Sequence, residues 1–224
     1  MMTHTHILIG AALFARPDSA RPGARAATAA AIAGAVAPDL DVAAMWIIER
    51  MNGVSSCVIF SERFWESPWT DVQAVSNSLL LWALIAIAGA AFGRRGIALL
   101  AFGASGLLHV SGDFLLHADD ARAHLQPFTD WRFHSPVSYW DPAHYGRVAG
   151  VVEAVCGAAL VALLWRRFAG FGARAALATA AGLYGLGVAA TAMSSDADFD
   201  HHDDCVRHAA LIEIGAPPVS VQPA

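Results

Sequence analysis

The stretch Gly96-Ile-Ala-Leu-Leu-Ala-Phe-Gly-Ala-Ser-Gly-Leu-Leu-His109-Val-Ser-Gly-Asp113-Phe-Leu-Leu-His117 decides how this chain is read. It is apolar and long enough to approach a membrane span. Its last half places His109, Asp113 and His117 four residues apart. Steps of four drift by only ~40° on a helix, so the three side chains share one stripe. Two imidazoles and a carboxylate on one stripe can hold a divalent metal, given further ligands. The alternative is that Asp113 and His117 mark the membrane–water boundary, with His109 hydrogen-bonded in the bundle. Ionisable groups at the edge of hydrocarbon are costly and call for a reason.

The rest of the chain agrees with a membrane setting. Of 224 residues, 56% are hydrophobic and 15% charged, and the mean hydropathy is +0.47. Soluble domains carry about 25% charged residues. The expected fold class is all-α, a polytopic membrane helix bundle of about four spanning helices plus a short N-terminal hairpin. The net charge of −5 and the lack of a basic patch exclude nucleic acid as an expected partner. Cys57, Cys156 and Cys205 form no C-x-x-C pair, so their spacing implies neither a disulfide framework nor a zinc ribbon. No P-loop, Gly-x-Ser-x-Gly elbow or dinucleotide fingerprint is present.

Along the chain, 6–15 is a short apolar segment and 16–25 an Arg/Pro/Gly turn. Residues 26–37 are helical, stopped by Pro38, and a new helix runs to Met51. Residues 52–74 are mixed polar and aromatic. Membrane helices are expected over 75–92, 96–117, 146–166 and 175–193, with a long loop over 118–145. Two domains follow: an embedded helical part, 1–193, and an acidic, His-containing tail, 194–224, around Asp196 to His208. The arginine-bearing turns (16–25, 94–95, 166–174) alternate with the helices, which puts them in the cytoplasm. The candidate ligands then fall on the periplasmic side of an inner membrane.

Four further sources of ligands or bases stand out. Asp39 and Asp41, in Pro38-Asp39-Leu40-Asp41, are either helix caps or carboxylates converging on a cation. His6 opens the first helix; His4 points ~200° away from it, so at most one of them serves a shared site. The N-terminus lacks the basic segment of a signal peptide, so His6 is expected to be retained. Glu153, two turns into a membrane helix, is a ligand, an orienting carboxylate, a general base or a partner for Arg147. The loop holding Asp120, His124, His134, Tyr139, Trp140, Asp141 and His144 is either an interfacial aromatic belt or a lid over a site. Pro136 and Pro142 make it turn-rich.

His6-Ile-Leu-Ile-Gly10, Gly34-Ala-Val-Ala-Pro38-Asp39-Leu40-Asp41 and Leu108-His109-Val-Ser-Gly-Asp113, in this order, resemble the LexA-regulated, inner-membrane YdjM-like family of metal-dependent hydrolases. The likeness covers roughly 4–165, and Trp131 to Pro142 resembles a proteobacterial branch. It implies histidine and aspartate ligands at His6, Asp39, Asp41, His109 and Asp113. Family members often carry an Arg-Gly…Thr-His-Ser segment where this chain has Ser76-Asn77-Ser78-Leu79; the missing histidine leaves His117 or a loop histidine to stand in. Some similar sequences carry the name of a cobalamin-biosynthesis enzyme, whose ATP site and glutaminase nucleophile are not visible here. The resulting expectation is a divalent metal, zinc by choice, with ligands His6, Asp39, Asp41, His109, Asp113 and His117. Water would attack an ester or phosphoester, on a small molecule or a membrane lipid, with Glu153 or Asp120 taking the proton. A metal-handling or transport protein and a non-catalytic structural protein are the alternatives.

Overall fold

The computed structural model describes residues 1–17 and 23–193. The acidic tail, with Asp196 to His208, and the turn residues Arg21 and Pro22 lie outside the described residues. Among those described there is no strand. Nine α-helices follow one another among the described residues: α1 (Thr3–Phe14), α2 (Ala24–Val36), α3 (Leu40–Met51), α4 (Ser56–Ser61), α5 (Trp69–Ser76), α6 (Leu79–Ala91), α7 (Ile97–Leu116), α8 (Gly146–Arg167) and α9 (Phe171–Met193). Five helical stretches are long and apolar enough to cross a membrane: Ala24–Met51, Trp69–Ala91, Gly93–Leu116, Gly146–Arg167 and Phe171–Ala190. Large apolar side chains such as Phe171, Leu186 and Val155 face outward, as lipid contact requires.

One more candidate span is present than the sequence suggested, and Pro38 is the reason. A 3-10 turn, Ala37–Asp39, carries the helix onward where a stop was expected. Pro38 falls at the start of that turn, where the N–H it lacks would be unpaired in any case and its fixed φ suits a helical residue. The mixed segment 52–74 also hides two short helices, α4 and α5.

The chain divides into two compact units. The first comprises Met1–Leu40 and Gln73–Ala192; Asp41–Val72 belongs to the second. The second has its own small core of Met45, Ile59 and Phe64, with Trp69 packed on it, and the Trp69 indole donates to Glu49. In the first unit α7 is central, packed on α6 and α2, while α1 touches α2, α7 and α8. Glycine makes the α2–α7 approach possible. A Cβ on Gly34 would sit 2.1 Å from the Phe102 carbonyl oxygen, so only a residue without one lets the two backbones close.

The loop 118–145 is tied down over the end of α7. The last carbonyls of a helix have no partner inside it. Here Ser135 Oγ donates to Leu115 O, Tyr139 N–H to Leu116 O, and Ser135 N–H to His117 O.

Candidate metal centre

Four chain segments deliver the site within the first unit. His6 comes from the first turns of α1, Asp39 from the 3-10 turn after α2, and His109 and Asp113 from α7. His117 follows α7 directly. The His–Asp–His stripe expected on one helix is present, although α7 ends at Leu116 and His117 is in an extended conformation.

Asp113 is the hub. Its Oδ1 lies 3.1 Å from His6 Nε2 and 3.7 Å from His117 Nε2, and its Oδ2 is 3.1 Å from His109 Nε2. The amino group of Met1 also approaches Oδ1, at 2.9 Å. Asp39 reaches His109 Nε2 at 3.2 Å, and its other oxygen accepts from the Thr3 hydroxyl. The His6 and His109 rings stack, with centroids 3.6 Å apart. One donor atom from each of His6, His109 and Asp113 lies within 4.8 Å of the other two. Neighbouring ligands at ~2.05 Å from a tetrahedral ion sit about 3.3 Å apart, so the observed spacings fit a shared cation.

The hydrogen bonding agrees with that fit. His109 Nδ1 is 2.7 Å from Ala35 O. A carbonyl only accepts, so Nδ1 carries the proton and the neutral ring keeps its lone pair on Nε2. This Nε2 is buried beside two carboxylates yet makes no aligned hydrogen bond to either. Metal-binding histidines are characteristically held this way, through the far nitrogen. His117 repeats the pattern: Nδ1 donates to Asp120 Oδ2 at 2.6 Å, leaving Nε2 toward Asp113. Burial disfavours the charged His117 ring, but Asp113 and Asp120 outweigh it and hold the pKa above its ordinary value. For Asp120, burial pushes the carboxyl up and His117 pulls it down further, leaving it below the usual range.

The side chains of His109 and Asp113 are almost wholly buried, whereas Asp39 is 27% exposed. The cluster therefore opens on its Asp39 side. Tyr139 closes another side, its ring 5.2 Å from that of His117. Burial, reinforced by the charge of Asp120, keeps its hydroxyl protonated well above the usual tyrosine range.

The remaining candidates have other partners. Asp41 belongs to the second unit and accepts from the Val42 N–H at the start of α3. Asp120 reaches the cluster only through His117, and it also accepts from the Trp140 indole. Glu153 is tied to α1: Oε1 accepts from Met2 N–H at 2.7 Å and from the Thr5 hydroxyl, and Thr5 meets Tyr184 on α9. His124 Nδ1 donates to Asn77 O and His134 Nδ1 to Ala118 O, whereas His117 Nε2 lies 3.7 Å from Asp113. Asp119, Asp141 and His144 form a second, more exposed group. Ala35 O and Thr3 were not legible beforehand, because a backbone carbonyl carries no motif and Thr3 lies 36 residues from Asp39.

A family model, the YdjM inner membrane protein family, matches residues 1–195. Neither the curated proteins nor the solved structures compared gave a match.

Proposed function

Taking as premise that the chain belongs to the YdjM inner membrane protein family, we propose that it is a membrane-bound, metal-dependent hydrolase. Its substrate is an ester or phosphoester presented at the membrane surface. The convergence of His6, His109 and Asp113, from two helices more than a hundred residues apart in sequence, carries the reading. In this proposal His6, His109, Asp113 and Asp39 hold the ion, with His117 completing the set and zinc the expected metal. A bound divalent ion would polarise the scissile bond and lower the pKa of water. The protein's part is to fix the ligands. Ala35 O sets the His109 tautomer, Asp120 orients His117, and Thr3 orients Asp39. Tyr139, kept protonated, supplies a hydrogen-bond donor at the rim. The arginine turns support a periplasmic site.

The test is elemental analysis of the full chain purified in detergent. Wild type should carry stoichiometric zinc, and His109→Ala and Asp113→Ala should carry less than about a tenth of it, since each ligand lost weakens binding by at least tenfold. Wild type free of metal after growth with zinc, and unable to take it up, would overturn the proposal.

A further inference from the structure

The hairpin of α8 and α9 carries a second feature of the first unit. An open groove of about 600 Å³ runs along it, within the size range of ligand-binding clefts. Ala158 and Ala162 of α8 and Ala178 and Ala181 of α9 line its walls, and all four are exposed. Walls of alanine leave open what longer side chains would fill. At one end the Tyr184 ring lies against Gly157, and its hydroxyl is taken up by Thr5 on α1. From Ala158 to Arg166 is eight helical steps, about 12 Å, most of the ~15 Å hydrocarbon depth of one bilayer leaflet.

The other end is charged. Arg166 and Trp165 themselves line the groove there. The guanidinium of Arg174 lies over the Trp165 ring, 5.4 Å from its centroid. Stacking uses the flat face of a guanidinium and leaves its N–H edge for an anion. The third arginine of this turn is committed elsewhere, since Arg167 donates to Ala12 O on α1. Residues 165–174 hold three arginines and no acid, and tryptophan is a residue of the headgroup level. Apolar walls suit an alkyl chain and the arginine pair suits an anion; an anionic phospholipid joins the two in one molecule. A helix of a second copy would cover the alanines less well. Two copies inserted the same way would bring their own arginines to one level, where like charges repel.

We propose that the α8–α9 groove is a binding site for an anionic phospholipid, with one acyl chain along the alanine walls and the phosphate against Arg166 and Arg174. None of its residues is a candidate metal ligand, so the site stands whether or not the hydrolase reading does.

The probe is phosphatidylglycerol with a diazirine in mid-acyl chain, photolysed with the full chain in phosphatidylcholine nanodiscs and mapped by mass spectrometry. Adducts should concentrate on the α8 and α9 peptides that line the groove, saturate, and be displaced by unlabelled phosphatidylglycerol. A phosphatidylcholine probe with the same diazirine should label them far less. Arg166→Gln should lower the phosphatidylglycerol adducts about fivefold, and Arg166→Gln with Arg174→Gln about thirtyfold. Arg166→Lys, which keeps the charge, should keep most of them. Arg94→Gln with Arg95→Gln removes the same charge from another arginine turn and should leave them unchanged. Ala162→Trp fills the groove from an exposed wall position and should cut them with both arginines intact. Ala159→Trp, exposed and outside the groove, should not. Equal labelling by the two probes, an equal loss in the Arg94/Arg95 variant, or indifference to Ala162→Trp would overturn the proposal. So would an unlabelled groove, whether covered by a second copy in a dimer or by nothing.

Discussion

His109 is held by Ala35 O at Nδ1, which leaves Nε2 beside two carboxylates with no aligned hydrogen bond to either. Glu153 stands in a different relation to the centre, since its bonds go to Met2 and Thr5. A glutamine amide oxygen can accept both of those bonds. Glu153→Gln should therefore keep the metal content and thermal stability of wild type, whereas Glu153→Ala, which strips a partner from buried donors, should cost about 1–3 kcal/mol. Calorimetry and elemental analysis on both variants check this; loss of metal in Glu153→Gln would show that the charge itself is needed. His144 offers a simpler titration. Its hydrogen bond to Asp141, 2.6 Å long, raises its pKa above 6.5. The sign follows: the pair's contribution is complete below about 6.5 and disappears as pH rises through the raised value. An NMR titration of His144 should give a midpoint above 6.5, and Asp141→Asn should lower it.

At the scale of elements, the α2–α7 contact sets the site. Gly34 lets Phe102 approach, and the next residue, Ala35, carries the carbonyl that binds His109. Gly34→Ala puts a carbon against backbone that cannot swing aside, so the helices must part. The expected result is a loss of about 1–3 kcal/mol from overpacking together with weaker metal binding, because the Ala35–His109 bond lengthens. Gly182→Ala, which meets open space, is the control for both measurements. The helices themselves were legible, because long apolar runs bounded by Arg94-Arg95 or Ser78 leave few alternatives. The stripe of His109 and Asp113 was legible for the same reason, as spacing of four is a helical property. Where Asp39 and Asp41 go was not. They lie two residues apart, yet Asp39 reaches His109 whereas Asp41, in the first turn of α3, accepts from the N–H of the next residue. Glu153 was readable as a buried acid and not as the anchor of α1, since its partners come from 150 residues away.

Across the whole first unit, the proposed ion would join α1, the turn after α2, α7 and the residue that follows it. Asp113 already gathers His6, His109, His117 and the Met1 amino group. A ligand that binds only the folded form stabilises it by about 2.7 kcal/mol at a hundred times its dissociation constant. For a chain of this size that corresponds to about 5–11 °C in the unfolding temperature. Chelation should lower the unfolding temperature of the wild type by this much, and restored zinc should reverse it. Asp113→Asn should start low and respond to neither treatment, because it removes the hub of the cluster. Gly182→Ala, which meets open space, should respond as wild type does. A chelator shift of equal size in wild type and Asp113→Asn would place the stabilising ion elsewhere, with the exposed group of Asp119, Asp141 and His144 the first place to look.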